Sequence, residues 1–283
     1  MDTYLPETIY EDDVFLVSYP KSGNTWLRFL LGNYISGNQC DFSNAHLIMP
    51  DIHYNPEQCA KIPRPRIIKS HYPYVSEYNN VIYLVRDGRD VAVSYYFYSI
   101  KFGIITQETT FSEFLRLFNR GWVVDFGLWG DHVNSWLDHK VDNFLLIKYE
   151  DLKRDPANEL KRVIQFCSLR LDEQRVVSAI EASSFERMKK LEVEQINQYD
   201  VFERSDHSIP FVRNGVSGES KKFFTERLYR EFIDIHGTAL QRLNYTSSKN
   251  IPEKSSRISN AWRLLNKNRN LEALDIFNEF QSE

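Results

Sequence analysis

The sequence predicts an α/β protein with a central parallel sheet flanked by helices on both faces. Three observations carry that prediction. Short apolar, β-branched runs alternate along the chain with stretches whose apolar residues recur at helical spacing. The run Val81-Ile-Tyr-Leu-Val85 is apolar throughout, as a central parallel strand buried on both faces must be. At 283 residues and 42% hydrophobic, the chain is long enough for one large core, or one domain with an appendage.

The first strand, about 14–19, starts at Val14 and runs into a turn at Pro20, Ser22 and Gly23. A helix follows over about 24–36, where Trp26, Leu27, Phe29, Leu30, Leu31, Tyr34 and Ile35 keep helical spacing. Strand, short polar loop with a lysine, and helix together make a phosphate cradle. N–H groups at a helix start point at an anion, and the helix dipole favours its charge. Lys21 adds a cation, and Ser22, Asn24 and Thr25 add short polar groups. This is not a Walker A loop, because the lysine precedes Gly23 and no glycine stands five residues ahead of it. A plain strand-to-helix turn with a surface lysine is the alternative.

Residues 37–65 are irregular, with Gly37, Pro50, Pro56, Pro63 and Pro65. They form either a substrate-side flap or a plain surface excursion. A second strand spans Arg66 to Pro73, on which Lys69 and His71 share a face. His71 at the strand end is a general-base candidate, since imidazole titrates near neutrality; a lone histidine is more often a surface or satisfied core residue. The third strand ends at Arg86-Asp87, and a helix starts near Val91. Arg86 and Ser94 are placed to reach an anion above that turn; a surface Arg86–Asp90 ion pair is the alternative.

Helices over about 111–119 and 125–138 put Phe114, Leu115, Leu128 and Trp136 in the core, with some aromatics left to line an apolar acceptor pocket. A fourth strand spans 143–151, and Asp155-Pro156 starts a helix to about Cys167. Helices near 172–182 and 184–190 precede a polar loop over 191–222, and a further helix lies within 223–245. The main domain is expected over 1–246. Residues 247–283 read as a polar linker and a hairpin of two amphipathic helices, packed on the domain or on a partner.

A net charge of −4 and a pI near 6.0 are not a nucleic-acid-binding composition, so an anionic ligand must be met by a local basic pocket. The three cysteines, Cys40, Cys59 and Cys167, show no C-x-x-C and no metal-ligand spacing. Reduced thiols, a start without signal-peptide character and the lack of any long apolar run lead to the expectation of a cytoplasmic protein with no membrane span.

Several segments, in order, resemble PAPS-dependent sulfotransferases of the cytosolic or bacterial small-molecule type. PAPS is 3′-phosphoadenosine 5′-phosphosulfate. Tyr19 to Trp26 matches Tyr-Pro-Lys-Ser-Gly-Thr-Thr-Trp except at Asn24. Lys69-Ser70-His71 resembles Lys-Thr-His, and Arg86 to Tyr96 resembles the 3′-phosphate motif with its arginine and a serine eight residues on. Tyr149-Glu-Asp-Leu152 and Ser183-Ser-Phe-Glu-Arg-Met188 resemble two further family segments. Phe211 to Gly218 is similar to Phe-x-Arg-Lys-Gly-x-x-Gly, with Asn214 for lysine, and Ser220 replaces the tryptophan that follows. The family's dimer motif is not matched after Lys221 and Thr225, so a monomer or a different dimer is expected. The start of the chain, the Ser183 segment and the unmatched dimer motif resemble the bacterial enzymes more than animal steroid or phenol enzymes.

The resemblance implies a P-loop-kinase-like sulfotransferase fold and sulfuryl transfer from PAPS to a hydroxyl, less readily an amine, of a small-molecule, natural-product or glycolipid acceptor. It implies that Ser22, Gly23, Asn24 and Thr25 bind the 5′-phosphate and that Arg86, Ser94, Arg213, Asn214 and Gly215 form the 3′-phosphate site. Asn214 leaves that site one cation short. Trp26 and Phe185 would sandwich the adenine, with Tyr149 and Ser183 nearby. Lys21 would stabilise the leaving phosphate, His71 would take the acceptor proton and Lys69 would assist. No metal is expected, since these cations offset charge as Mg²⁺ does in kinases. Two other classes are a small-molecule kinase, which needs a Walker A loop and an acidic magnesium site, and an inactive nucleotide-binding regulator.

Overall fold

The computed structural model describes residues 5–195, 202 and 205–246. Four strands, β1 (Val14–Ser18), β2 (Ile67–Ser70), β3 (Asn80–Val85) and β4 (Asn143–Lys148), form one parallel sheet in the order β2-β1-β3-β4. Leu16 stands opposite Lys69 on one side and Ile82 on the other, and Ile82 stands opposite Leu145. The chain leaves β1 for β2 on one side, then returns across it to β3. That reversal opens a crevice beyond the carboxyl ends of β1 and β3, where open α/β sheets bind their ligands.

The helices are α1 (Asn24–Ser36), α2 (Ala45–Ile48), α3 (Gly88–Lys101), α4 (Phe111–Phe118), α5 (Trp129–Asp138), α6 (Tyr149–Arg154), α7 (Pro156–Phe166), α8 (Glu173–Ala182), α9 (Phe185–Gln195) and α10 (Glu226–Arg242). Strand side chains alternate between the faces with period two. Phe15, Val17, Val81, Tyr83 and Val85 pack with Val91, Phe114, Trp136 and Phe232 from α3, α4, α5 and α10. Leu16, Ile82 and Leu84 pack on the opposite face with Leu27, Leu30, Leu160 and Ile164 from α1 and α7. Phe114, Leu115, Leu128 and Trp136 are buried, as the sequence leads one to expect.

Several element ends differ from expectation for physical reasons. β4 stops at Lys148 rather than 151 because Tyr149 opens α6. That helix carries Glu150 and Asp151 in its first turn and Lys153 and Arg154 in its last, each sign where the dipole favours it. α5 starts at Trp129 rather than 125, after Gly121 and Gly127 take left-handed φ of 72° and 75°. α10 is confined to 226–242, and the Thr225 side chain caps it by accepting from the Leu228 N–H. The loop expected over 191–222 opens as the end of α9 and closes in a 3₁₀ turn, Glu219–Lys222. The linker and hairpin expected over 247–283 lie outside the described residues. Among the described residues no helix is long and apolar enough to cross a membrane.

Candidate active site

The cradle forms where β1 turns into α1. Lys21 takes a left-handed φ of 69°, and Gly23, the N-cap of α1, takes 101°. Only glycine fits at position 23, because a Cβ there would stand 2.5 Å from Cδ2 of Tyr149. No side chain caps this helix end, so its first N–H groups stay open to a ligand. The hydroxyl of Ser22, Oδ1 of Asn24 and Nε of Arg86 are buried without a partner among the described residues. Such atoms carry a desolvation cost that a polar ligand offsets. Burial, and then Arg86, Arg213 and Lys69, push the Lys21 ammonium down to about 7. Its Nζ sits 4.4 Å from each of the Tyr98 and Phe211 ring centroids.

The second anchor is the β3–α3 turn, whose N-cap Asp87 accepts from the Arg89 N–H. Arg86 donates to the Val216 carbonyl at 2.9 Å and lies over the Tyr149 ring at 4.5 Å. The Arg86–Asp90 pair of the alternative reading is present but long, 4.0 Å. Asp90 instead accepts the N–H groups of Gly218 (2.6 Å) and Ser220 (2.9 Å), which ties residues 211–220 to α3. Within that loop Arg213 is bidentate on Glu219, and Asn214 donates to the same carboxylate at 2.7 Å.

The third component is the end of β2. Nδ1 of His71 lies 2.6 Å from the Ser18 carbonyl. A carbonyl only accepts, so Nδ1 carries the proton and Nε2 keeps its lone pair. Burial, reinforced by the Lys69 ammonium, holds His71 well below the usual imidazole range, so it is a neutral base at pH 7. Asn24 donates to the Ser18 hydroxyl at 3.1 Å, linking the cradle to the strand end that holds His71. Lys69 is not free: it is ion-paired with Asp51. Burial opposes ionisation of Asp51, but the surrounding groups, Lys69 foremost with Arg28, together outweigh it and keep the carboxyl well below its ordinary range.

Of the residues singled out from the sequence, all but Ser22 and Ser183 line one cavity of about 780 Å³. Lys21, Gly23, Asn24, Thr25, Trp26, Arg86, Ser94, Tyr149, Phe185, Arg213, Asn214 and Gly215 stand on its walls together with Lys69 and His71. Ser183 is fully buried: its hydroxyl accepts from Asn33 at 3.0 Å and its carbonyl from the Trp26 indole at 3.1 Å. It positions Trp26 from behind.

Sequence reasoning missed Asp51, His53, Tyr98, Glu219 and Lys153, which also line the cavity. Asp51 and His53 arrive because residues 50–52 run beside β2, with Lys69 N–H bonded to the Pro50 carbonyl at 2.8 Å. His53 accepts the His71 N–H through Nε2 at 2.7 Å, and burial pushes it down to about 4. Within the irregular segment, Phe42, Ala45, Asp51, His53 and Tyr54 form part of the cavity wall. The only signal was the spacing Asp51-x-His53, which mirrors Lys69-x-His71 across the bridge.

An anion cradle at the switch point of a parallel sheet, with a neutral base beside it, defines a group-transfer enzyme on a P-loop-like α/β fold. The sulfotransferase domain model matches residues 11–244, and the chain belongs to the sulfotransferase family. It is 34% identical over 241 residues to Sulfotransferase 1 family member D1 of Mus musculus, across 78% of this chain and 81% of that protein. It is 32% identical over 253 residues to Sulfotransferase 1B1 of Mus musculus, across 81% of this chain and 84% of that one. Among solved structures, mouse sulfotransferase SULT7A1 complexed with PAP aligns with a TM-score of 0.66 at 29% identity, covering 86% of this chain and 88% of that chain. Retinol dehydratase in complex with androsterone and PAP has a TM-score of 0.67 at 20% identity, over 83% and 81%, and shares the fold.

Proposed function

We propose that this sulfotransferase takes its sulfuryl group from PAPS and passes it to a hydroxyl, less readily an amine, of a small-molecule, natural-product or glycolipid acceptor. The observation that carries the reading is a single cavity lined both by Lys21 with the cradle and by neutral His71, whose Nδ1 is tied to the Ser18 carbonyl and leaves Nε2 as the base. The SULT7A1 relative holds PAP, the desulfated donor, which supports the same donor here. The cradle residues Ser22 to Thr25 would hold the 5′-phosphate, and Arg86 and Ser94 the 3′-phosphate. Trp26 and Phe185 supply ring faces for adenine; stacking of this kind is worth about 1–3 kcal/mol per base.

In the transfer, the bond from sulfur to the acceptor oxygen forms as the bond from sulfur to the bridging oxygen of the 5′-phosphate breaks. His71 Nε2 takes the acceptor proton. Lys21 stabilises the charge that returns to the departing phosphate. Lys69, held by Asp51, adds to the burial that keeps His71 neutral rather than acting as a second free cation. The cavity lining also holds Tyr95, Ile104, Trp122 and Phe126, which suits an acceptor with an apolar or aromatic body. Residues 1–246 would form the catalytic unit, working in the cytoplasm as a monomer or as a dimer of another type.

The test is a calorimetric titration with PAP beside ATP with Mg²⁺. The expected result is micromolar PAP binding without added metal and little binding of ATP; preference for ATP with Mg²⁺ would sink the donor assignment. His71→Ala should keep PAP affinity and lower turnover about 10²-fold or more. Unchanged turnover would remove His71 from the chemistry.

A further inference from the structure

The 3′-phosphate site, on the donor reading above, needs cations free to meet a second dianion. The loop neutralises its own charge: Arg213 is bidentate on Glu219, and Asn214 donates to that same carboxylate. Arg86 lies 4.0 Å from Asp90 and is also spent on the Val216 carbonyl. Beside this loop stands Lys153, in the last turn of α6. Its Nζ is 3.8 Å from the point a Cβ on Gly215 would occupy, and the Phe185 ring edge is 3.0 Å from that same point. Lys153 lines the cavity with both residues. Its neighbour Arg154 takes the Asp151 carboxylate at 2.7 Å, and Lys153 itself has no ion-pair partner among the described residues.

We propose that Lys153 is a donor-binding residue: it contacts the 3′-phosphate of the nucleotide and replaces the cation missing at Asn214. The charge enters from α6, across the loop, rather than from the loop itself. Its exposed, flexible stem lets the ammonium swing toward the phosphate, and glycine at position 215, with a left-handed φ of 56°, leaves room beside it, since a Cβ there would stand only 3.0 Å from the Phe185 ring.

The experiment compares PAP with adenosine 5′-phosphate, which lacks the 3′-phosphate, on the wild type, Lys153→Gln, and Lys153→Gln combined with Asn214→Lys. We expect Lys153→Gln to weaken PAP about 10-fold, the scale of one lost ionic hydrogen bond, and leave adenosine 5′-phosphate unchanged. Adding Asn214→Lys should restore PAP affinity. If Lys153→Gln binds PAP as the wild type does, or weakens both nucleotides equally, the assignment falls while the donor reading stands. If the wild type binds no PAP, both fall together.

Discussion

Lys21 is the residue through which pH should act on ligand binding. Burial and neighbouring cations hold its ammonium at about 7. A bound polyanion reverses that pressure and raises the pKa. At pH 8 most of the free protein therefore carries neutral Lys21, and PAP binding should draw up to one proton from the buffer. Affinity should fall as pH climbs from about 7 toward the pKa of the complex. Calorimetry at pH 8 in two buffers of different ionisation enthalpy reads the uptake, and Lys21→Met should abolish it. Zero uptake by the wild type would place the ligand away from Lys21. At this scale the sequence is informative where chemistry is local. Lys21 and His71 stand out because each follows an apolar strand run. Asp51 does not, because its meaning comes from Lys69, which only the run of residues 50–52 beside β2 brings within reach. Glu219 is similar: nothing in Gly-Glu-Ser announces that it claims Arg213.

Helix α1 carries a left-handed glycine at each end, and the two ends should respond differently to the same substitution. At Gly23 a Cβ meets the Tyr149 ring at 2.5 Å, so Gly23→Ala must displace Tyr149 and with it the Arg86 guanidinium that lies over that ring. At Gly37, with φ of 69°, a Cβ meets nothing within 4 Å. Gly37→Ala should thus cost only the backbone strain, about 1–2 kcal/mol, with PAP affinity unchanged. Gly23→Ala should cost that strain and weaken PAP at least about 10-fold as well. Thermal melting together with PAP titration of both variants separates the effects; equal PAP affinities would mean that the cradle does not touch the nucleotide. The elements themselves were legible from periodicity, and their ends less so. α6 was hidden inside an expected strand, since Tyr149-Glu-Asp-Leu continues an apolar run while its charges already favour a helix.

For the molecule as a whole, acid stability should follow its buried histidines. Burial pushes His132 down to about 4 and His236 to about 3, against 6.5 when unfolded. Their neutral forms are built in: His132 Nδ1 is 2.9 Å from the Tyr83 hydroxyl, and His236 Nδ1 accepts the Gly130 N–H at 3.2 Å. The unfolded chain binds their protons first, so stability is full above about pH 6.5 and falls as pH drops toward 4. Each contributes up to about 3 kcal/mol to that loss. Melting temperature followed from pH 7 to 4 should decline through this window, and a flat profile would show that these groups are not neutral in the fold. Neither histidine could be assigned to the core from sequence, because the partners of His132 lie on β3 and just past β2, and those of His236 on α5 and at the end of α4, far along the chain. The parallel sheet was legible from fully apolar strands, but its order β2-β1-β3-β4 was not, since adjacency of strands leaves no local pattern.

Residues 211–220 belong to two neighbourhoods at once. Asp90 on α3 and Arg86 before it hold the loop at Gly218, Ser220 and Val216, while its Phe211 ring covers Lys21 and packs against Phe42 and Phe202. On the proposed reading, nucleotide and acceptor would share this wall. To the extent that either ligand settles this wall, their affinities are coupled, and by thermodynamic reciprocity the factor by which the first strengthens or weakens the second is the same in both orders of addition.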